Sequence, residues 1–362
     1  MRLQFERFDL QFRFPWRIAS GGSAASTTYP VVLLELSDDQ GRHGVGEAAS
    51  TARYRQPVES IERFLRGVDA SRLSFADLPG SMDYLDSLGS GQEAAKCGLN
   101  LALVDGAARA AHQPACSWLG LGFTERKHVT SFSIGIDTPE IIRHKVAAAA
   151  GYPVLKLKVG TAADIENFKA LREAAPDKPV RVDANEGWGT REEALRQIEW
   201  LARDGRVQFV EQPMPDTTPV ADWAWLKARS PLPIFGDESY HHAGDADRAA
   251  ECFHGVNVKL VKTGGVTRAL EALKAARRAG LQTMIGCMIE SSILISAGAH
   301  LAELADHLDL DGNLLVNNDP FTGVTAPGGI LSFAEASEPW GLRAARSPLK
   351  NCSGALGAPN QT

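Results

Sequence analysis

Three carboxylates stand at the ends of three short β-rich runs: Asp183 in VRVDAN, Glu211 in VQFVEQ and Asp237 in PIFGDES. Asp183 and Glu211 are 28 residues apart, and Glu211 and Asp237 are 26 apart, about one strand–helix unit each time. In a barrel of parallel strands the C-terminal ends converge on one mouth, where active sites lie. An all-oxygen set with no Cys or His beside it suits a hard cation such as Mg2+. Each carboxylate could instead cap the helix that follows it. Three at the same place in successive units point to a shared ligand.

The lysines form the second half of the constellation. Lys156 and Lys158 lie two apart in VLKLKV and so share one strand face, while Leu155, Leu157 and Val159 take the other. The apolar face belongs against helices, so the two lysines point into the barrel. Mutual repulsion and a nearby cation would each lower a lysine pKa, giving a neutral amine able to act as a base near neutral pH. The competing account is two lysines snorkelling from a frayed strand end. Lys259 closes GVNVKL in the same way, with Asn257 on its face and Val256 and Val258 on the other. Its strand is the fourth after that of Lys158, so in an eight-stranded barrel the two amines oppose each other across the mouth. Lys262, in the loop beyond, is the weaker candidate. Opposed bases around a metal-bound carboxylate predict that one removes an α-proton, that the enolate is stabilised by the metal, and that the other delivers a proton to the opposite face. The outcome is inversion at one carbon.

These positions need a scaffold, and the rhythm of the chain supplies one. From about residue 128, β-rich runs alternate with Ala-, Leu- and Arg-rich helical stretches. The runs cover 129–136, 154–159, 180–185, 207–212, 233–239, 255–260, 282–289 and 307–312. Eight strands with helices between most of them predict an α/β fold with a parallel closed barrel over 126–327. The last helix looks vestigial, because Pro320 and Pro327 follow soon after the final run, so the expected form is a modified TIM (β/α)7β barrel. The first third reads as an α+β capping domain over 1–125, with strands at 3–14, 30–37 and 44–50 and helices near 57–67 and 91–113. The tail, 328–362, is expected to return to this layer.

KLKVG, RVDAN, VEQP, GDES and NVKLVKTGG, in this order and spacing, resemble the muconate-lactonizing branch of the enolase superfamily over nearly the whole chain. The resemblance implies Mg2+ held by Asp183, Glu211 and Asp237, with Lys158 and Lys259 as the acid/base pair and Lys156 as their electrostatic neighbour. The last strand ends Asp309-Leu310-Asp311-Gly312. Two carboxylates sharing a face there, beyond the metal set, suit a substrate ammonium group; an Asp-Gly turn is the alternative. A DxD at this place resembles the dipeptide epimerases of the branch, in which it holds the N-terminal amine. MIESS, 288–292, resembles them too, and Glu290 is expected to line the pocket. The implied reaction is epimerisation of the C-terminal residue of an L,L-dipeptide. Alternatives on the same fold are a muconate cycloisomerase, an o-succinylbenzoate synthase or an N-acylamino acid racemase, whose substrates carry no ammonium. A non-catalytic binding barrel is the alternative of another class.

Two capping segments, 16–22 (WRIASGG) and 50–55 (STARYR), are expected to face the mouth and choose substrate side chains. Arg17, Arg53 or Arg55 could meet an acidic side chain, and Tyr54 and Ser133 are further pocket candidates. Gly21-Gly22 would allow a mobile lid. His241-His242 is read as a loop, because adjacent strand residues diverge. Nucleophile-elbow, Walker and dinucleotide-binding signatures are missing. The chain of 362 residues has net charge −6 and no basic stripe, which speaks against nucleic-acid binding. No charge-free apolar run of about 18 residues predicts a membrane span, and the charged, alternating N-terminus does not read as a signal peptide. Five widely spaced cysteines form no CxxC pair, and a cytoplasmic setting is expected. A homo-oligomer is left open, since barrels of this size often assemble.

Overall fold

The computed structural model describes residues 1–21 and 24–347. The alternating N-terminus forms a long strand, β1 (Arg2–Trp16), which pairs antiparallel with β2 (Ser26–Ser37); β2 in turn pairs with β3 (His43–Ala49). The β2–β3 turn is closed by Asp38, whose carboxylate accepts from the amides of Gln40 and Arg42. Both long strands exceed the ranges read from alternation, because their ladder continues as far as the Gln11–Thr28 pair and, past an irregularity, Trp16–Ser26. Helices α1 (Val58–Arg66), α2 (Leu78–Ser87) and α3 (Glu93–Ala110) complete this layer. α2 carries Pro79 and Gly80 in its first turn, which hid it in the sequence; the Asp77 carboxylate caps it by accepting from the Gly80 amide at 3.0 Å. α3 is buried along almost its whole length. Small residues permit that approach: a Cβ on Gly46 of β3 would stand 2.0 Å from the Gly98 carbonyl oxygen of α3. One short turn, α4 (Ala115–Trp118), leads onward.

Eight parallel strands follow: β4 (Phe132–Ile134), β5 (Leu155–Lys158), β6 (Val180–Asp183), β7 (Val207–Glu211), β8 (Ile234–Gly236), β9 (Gly255–Lys259), β10 (Gln282–Gly286) and β11 (His307–Asp309). They lie side by side in chain order, and a Thr130–Leu308 bridge joins the two edges, so the sheet is a nearly closed barrel. The outer helices are α5 (Pro139–Ala148), α6 (Asp164–Ala174), α7 (Arg191–Ala202), α8 (Val220–Lys227), α9 (Ala246–Cys252), α10 (Leu260–Thr263) with α11 (Val266–Arg278), and α12 (Ser292–Ala299). Where an eighth barrel helix would stand, a short 3-10 turn, Gly312–Leu315, follows β11. This is the expected (β/α)7β order. Each ladder is shorter than the β-rich run that announced it, since the runs continue into the loops of the mouth. Asp237 and Asp311 lie in those continuations.

Strand alternation stacks the interior in layers. One layer holds Lys158, Asp183, Glu211, Lys259 and Asp309, and the register pairs Lys158 with Asp183 and Asp183 with Glu211. The residues two positions earlier on each strand fill the floor. Phe209, Phe235 and Met284 form an apolar cluster there, with the two phenyl rings stacked 4.2 Å apart. Arg181 lies over Phe209 and donates to Gln208 and to the Leu308 carbonyl. The chain after the barrel returns to the first layer: the Leu342 amide donates to Asp105 of α3 at 2.7 Å, and Arg346 pairs with Glu6 of β1 at 2.6 Å. The expected return of 348–362, and Cys352 with it, lies outside the described residues. Cys97, Cys116, Cys252 and Cys287 are free thiols. Among the described residues no helix is long and apolar enough to cross a membrane.

Candidate active site

Asp183, Glu211 and Asp237 meet at the C-terminal mouth, fully buried, each offering an oxygen within 4.8 Å of the others. Four lysines surround them. Lys158 Nζ is 2.6 Å from Asp183 Oδ2, and Lys259 Nζ is 2.7 Å from Asp237 Oδ2. Lys156 Nζ touches three carboxylates: Asp183 at 3.1 Å, Glu211 at 2.7 Å and Asp309 at 2.7 Å. Lys262 Nζ donates to Asp237 Oδ1 at 2.5 Å and to the Asn257 carbonyl at 3.0 Å. Asn257 donates in turn to Glu211 Oε1 at 2.8 Å.

These contacts act against one of the two effects expected to lower a lysine pKa, mutual repulsion, the other being a nearby cation. Burial does push Lys156 and Lys259 down, but the carboxylates around them outweigh it and the net direction is up. Lys262 does go down, through burial, yet its donors are spent on Asp237 and Asn257, so it positions a carboxylate rather than waiting in reserve. Burial and the charge of Asp183 push Glu211 up to about 7. Glu211 Oε2 accepts no hydrogen bond of good geometry, although Lys156 lies close. Three crowded carboxylates with an orphaned oxygen and only oxygen donors fit a hard divalent cation.

A cavity of about 480 Å³ opens over this cluster. Lys158 and Lys259 line it from strands four places apart in the eight-stranded sheet; Lys156 and Lys262 lie beneath and do not. Asp309, Asp311 and Ser133 line it on the other flank. Asp309 is already paired with Lys156, and it accepts from Ser131 Oγ at 2.6 Å. Asp311 Oδ2 accepts from the Ser133 amide at 2.6 Å. Burial and the neighbouring Asp309 push Asp311 up to about 7.

The capping layer supplies the rim. Arg17 and Tyr54 reach the cavity as expected, together with Trp16, Ile18 and Ser20. Arg53 reaches it as well, but its guanidinium is committed to Glu186 at 2.6 Å and Asp216 at 2.9 Å, so it is not free for a substrate. Arg55 caps a short turn in the left-handed region and does not line the cavity. Of the proposed Gly21-Gly22 lid, Gly22 lies outside the described residues. Glu290 also differs from expectation. It is buried off the cavity, where its carboxyl accepts from the Met288 amide at 2.9 Å, and Met288 and Ile289 form the wall instead. His241 binds the Glu238 carbonyl oxygen and sets its ring against Tyr54, while His242 is exposed, so the pair is a loop.

Among the lining residues that escaped the sequence reading are Asn185 and Glu238. They follow Asp183 and Asp237 in DAN and GDES, and they meet across the cavity wall through an Asn185 Nδ2–Glu238 Oε1 contact of 3.4 Å. Asn185 adopts φ 41°, which turns it toward the cavity side of the loop. Its Oδ1 and Glu238 Oε2 are buried without a protein partner among the described residues. The motifs contained the signal, but strand alternation says nothing about residues past the last ladder bond.

Comparison with known proteins places this geometry. A family model described as Enolase C-terminal domain-like matches residues 142–322. An L-Ala-D/L-amino acid epimerase of Pedosphaera parvula is 59% identical over 343 residues, spanning 95% of this chain and 99% of that one. An L-Ala-D/L-Glu epimerase of Bacteroides thetaiotaomicron is 37% identical, covering 92% and 85%. The crystal structure of a dipeptide epimerase from Enterococcus faecalis, complexed with Mg and L-Leu-L-Tyr, superposes with a TM-score of 0.85 at 28% identity, covering 95% and 99%. The chain belongs to the enolase superfamily, in the group that holds the dipeptide epimerases.

Proposed function

We propose that this protein inverts the α-carbon of the C-terminal residue of an L,L-dipeptide by a 1,1-proton transfer. The observation that carries the reading is the placement of Lys158 and Lys259: they alone of the four site lysines reach the cavity, and they do so from opposite sides of the buried carboxylate triad. One amine takes the α-proton, and the ammonium of the other delivers a proton to the opposite face of the resulting enolate. Asp183, Glu211 and Asp237 would hold Mg2+. A divalent cation there would neutralise charge on the substrate carboxylate and favour a neutral amine on a neighbouring lysine. Lys156 keeps positive charge beside Lys158 without entering the cavity. The relatives named above as epimerases of L-Ala dipeptides support the substrate class, as does Asp311 in the wall, for which an N-acyl substrate would offer no cation. The test is a mass-shift screen of L-Ala-L-X dipeptides in D2O with Mg2+. A one-unit gain for members of the library is expected, and no gain across it contradicts the reading.

A further inference from the structure

We propose that Arg53 is a positioning residue: by clamping Glu186 in a left-handed backbone conformation it sets the neighbouring Asn185 into the cavity wall, so that seating the capping segment and completing that wall are one event. Only the kinetic readout of this clamp rests on the dipeptide reading above. Asn185 and Glu186 are consecutive non-glycine residues at φ 41° and φ 67°. For a glutamate this backbone is disfavoured about tenfold in population against the right-handed region, and it persists only where the surroundings over-determine it. Here they do. The Arg53 guanidinium grips the Glu186 carboxylate with two donors, Nε to Oε2 at 2.6 Å and Nη2 to Oε1 at 2.7 Å. The same carboxylate accepts from the Asp216 amide at 2.8 Å, and the Asp216 side chain takes Arg53 Nη2 at 2.9 Å. A lone exposed ion pair would hold little. This one is forked, its carboxylate is nearly buried, and a second carboxylate shares it.

The clamp reaches from one layer to the other. Arg53 sits on a short loop of the capping layer whose ends, Thr51 and Gln56, exchange backbone hydrogen bonds of 2.9 and 3.0 Å. Gln56 is pinned in turn to the first turn of α3, where its side chain accepts from the Ala94 amide at 2.7 Å. With its base so held, the loop meets the barrel at its tip: Arg53 pairs with the loops after β6 and β7, and the Tyr54 ring packs on His241 after β8. On the barrel side, the Glu186 amide donates to the Gln212 carbonyl at 2.9 Å and the Asn185 amide to Asp183 Oδ1 at 2.9 Å. Asn185 is thereby fixed against Glu238, at 3.4 Å, in the wall of the cavity. Its Oδ1 and Glu238 Oε2 are buried with no protein partner among the described residues, so both are held open for a ligand in the cavity. Among the described residues Arg53 pairs with no member of the carboxylate triad. Its effect on the reaction passes through Glu186 and Asn185.

The test separates the clamp from a general loss of packing by relieving the backbone rather than restoring the charge. Arg53→Met keeps most of the stem and loses the clamp. It is expected to raise KM for an active L-Ala-L-X dipeptide about tenfold with kcat nearly unchanged, because the competent wall is then a minor state that the substrate must select. Adding Glu186→Gly to Arg53→Met is expected to recover most of that KM, since glycine takes a positive φ without a clamp. Asn185→Gly tolerates the same backbone and removes the side-chain amide; in that background Arg53→Met is expected to cost KM nothing further. An unaltered KM in Arg53→Met, a raised KM that Glu186→Gly fails to recover, or an Arg53 effect that persists in full beside Asn185→Gly overturns the proposal. Hydrogen exchange of the bonded amides of Glu186, Gly187 and Trp188 needs no substrate. Their protection is expected to fall at least about tenfold in Arg53→Met, and unaltered protection overturns the clamp. Should the unaltered protein exchange no dipeptide α-proton while that protection falls, the clamp stands and the dipeptide reading fails.

Discussion

Lys158 and Lys259 each touch one carboxylate of the triad and one wall of the cavity, and this double placement gives them separable roles. Each serves one face of the α-carbon. Lys158→Ala and Lys259→Ala are therefore expected to lose epimerisation by at least about a hundredfold, while each still exchanges the α-proton of a single epimer, the opposite one in the two variants. NMR of the separate L,L and L,D dipeptides in D2O checks this; exchange of both epimers by either variant would contradict it. Alternation made these side chains legible, since a period of two puts Lys156, Lys158 and Asp183 on the inner face without further information. The partner of Lys156 was not legible. Asp309 is 153 residues away and becomes a neighbour only when the barrel closes. Arg53 was misread for the same reason, because Glu186 and Asp216, which occupy it, come from loops of the barrel.

At the scale of elements, β3 of the capping layer is fastened to the barrel at the start of α12. The buried Glu47 carboxyl accepts from the amide and hydroxyl of Ser291. Burial pushes Glu47 up to about 7 despite those bonds, Glu290 up to about 8 and Asp319, bonded to Ser292, up to about 6. All three hold protons more tightly folded than unfolded. By linkage, their contribution is largest below the unfolded carboxyl range near 4 and declines as pH rises through about 6 to 8. Glu47→Gln removes one titration, so relative to the unaltered protein it is expected to gain stability between pH 5.5 and pH 8.5. Thermal melts at the two values measure this, and an equal difference at both would refute it. The sequence disclosed that a capping layer exists and roughly where its strands run. It did not disclose α2, whose Pro and Gly imitate a loop, nor this junction, which joins residues 244 apart.

The whole molecule exists to bring strand ends and capping segments to one cavity. The (β/α)7β order was legible because strand–helix alternation is periodic over nearly two hundred residues; the rim was not, because loops follow no period. If the triad binds Mg2+ only when the barrel is folded, the cation must raise the melting temperature. Saturation at about 100 times Kd corresponds to about 2.7 kcal/mol. Glu211→Gln is expected to abolish this Mg2+-dependent rise, and a melting temperature indifferent to Mg2+ in the unaltered protein would argue against the site.

The central claim is inversion by two opposed lysines, and it is tested most directly by following one L-Ala-L-X dipeptide found active in the screen, in D2O with Mg2+. The account predicts a single deuterium at the α-carbon of the C-terminal residue, accumulating in the L,D product from the first turnovers and in the L,L pool as the reaction reverses. Product whose α-carbon is inverted yet keeps only protium, or deuterium entering without any inversion, would contradict it.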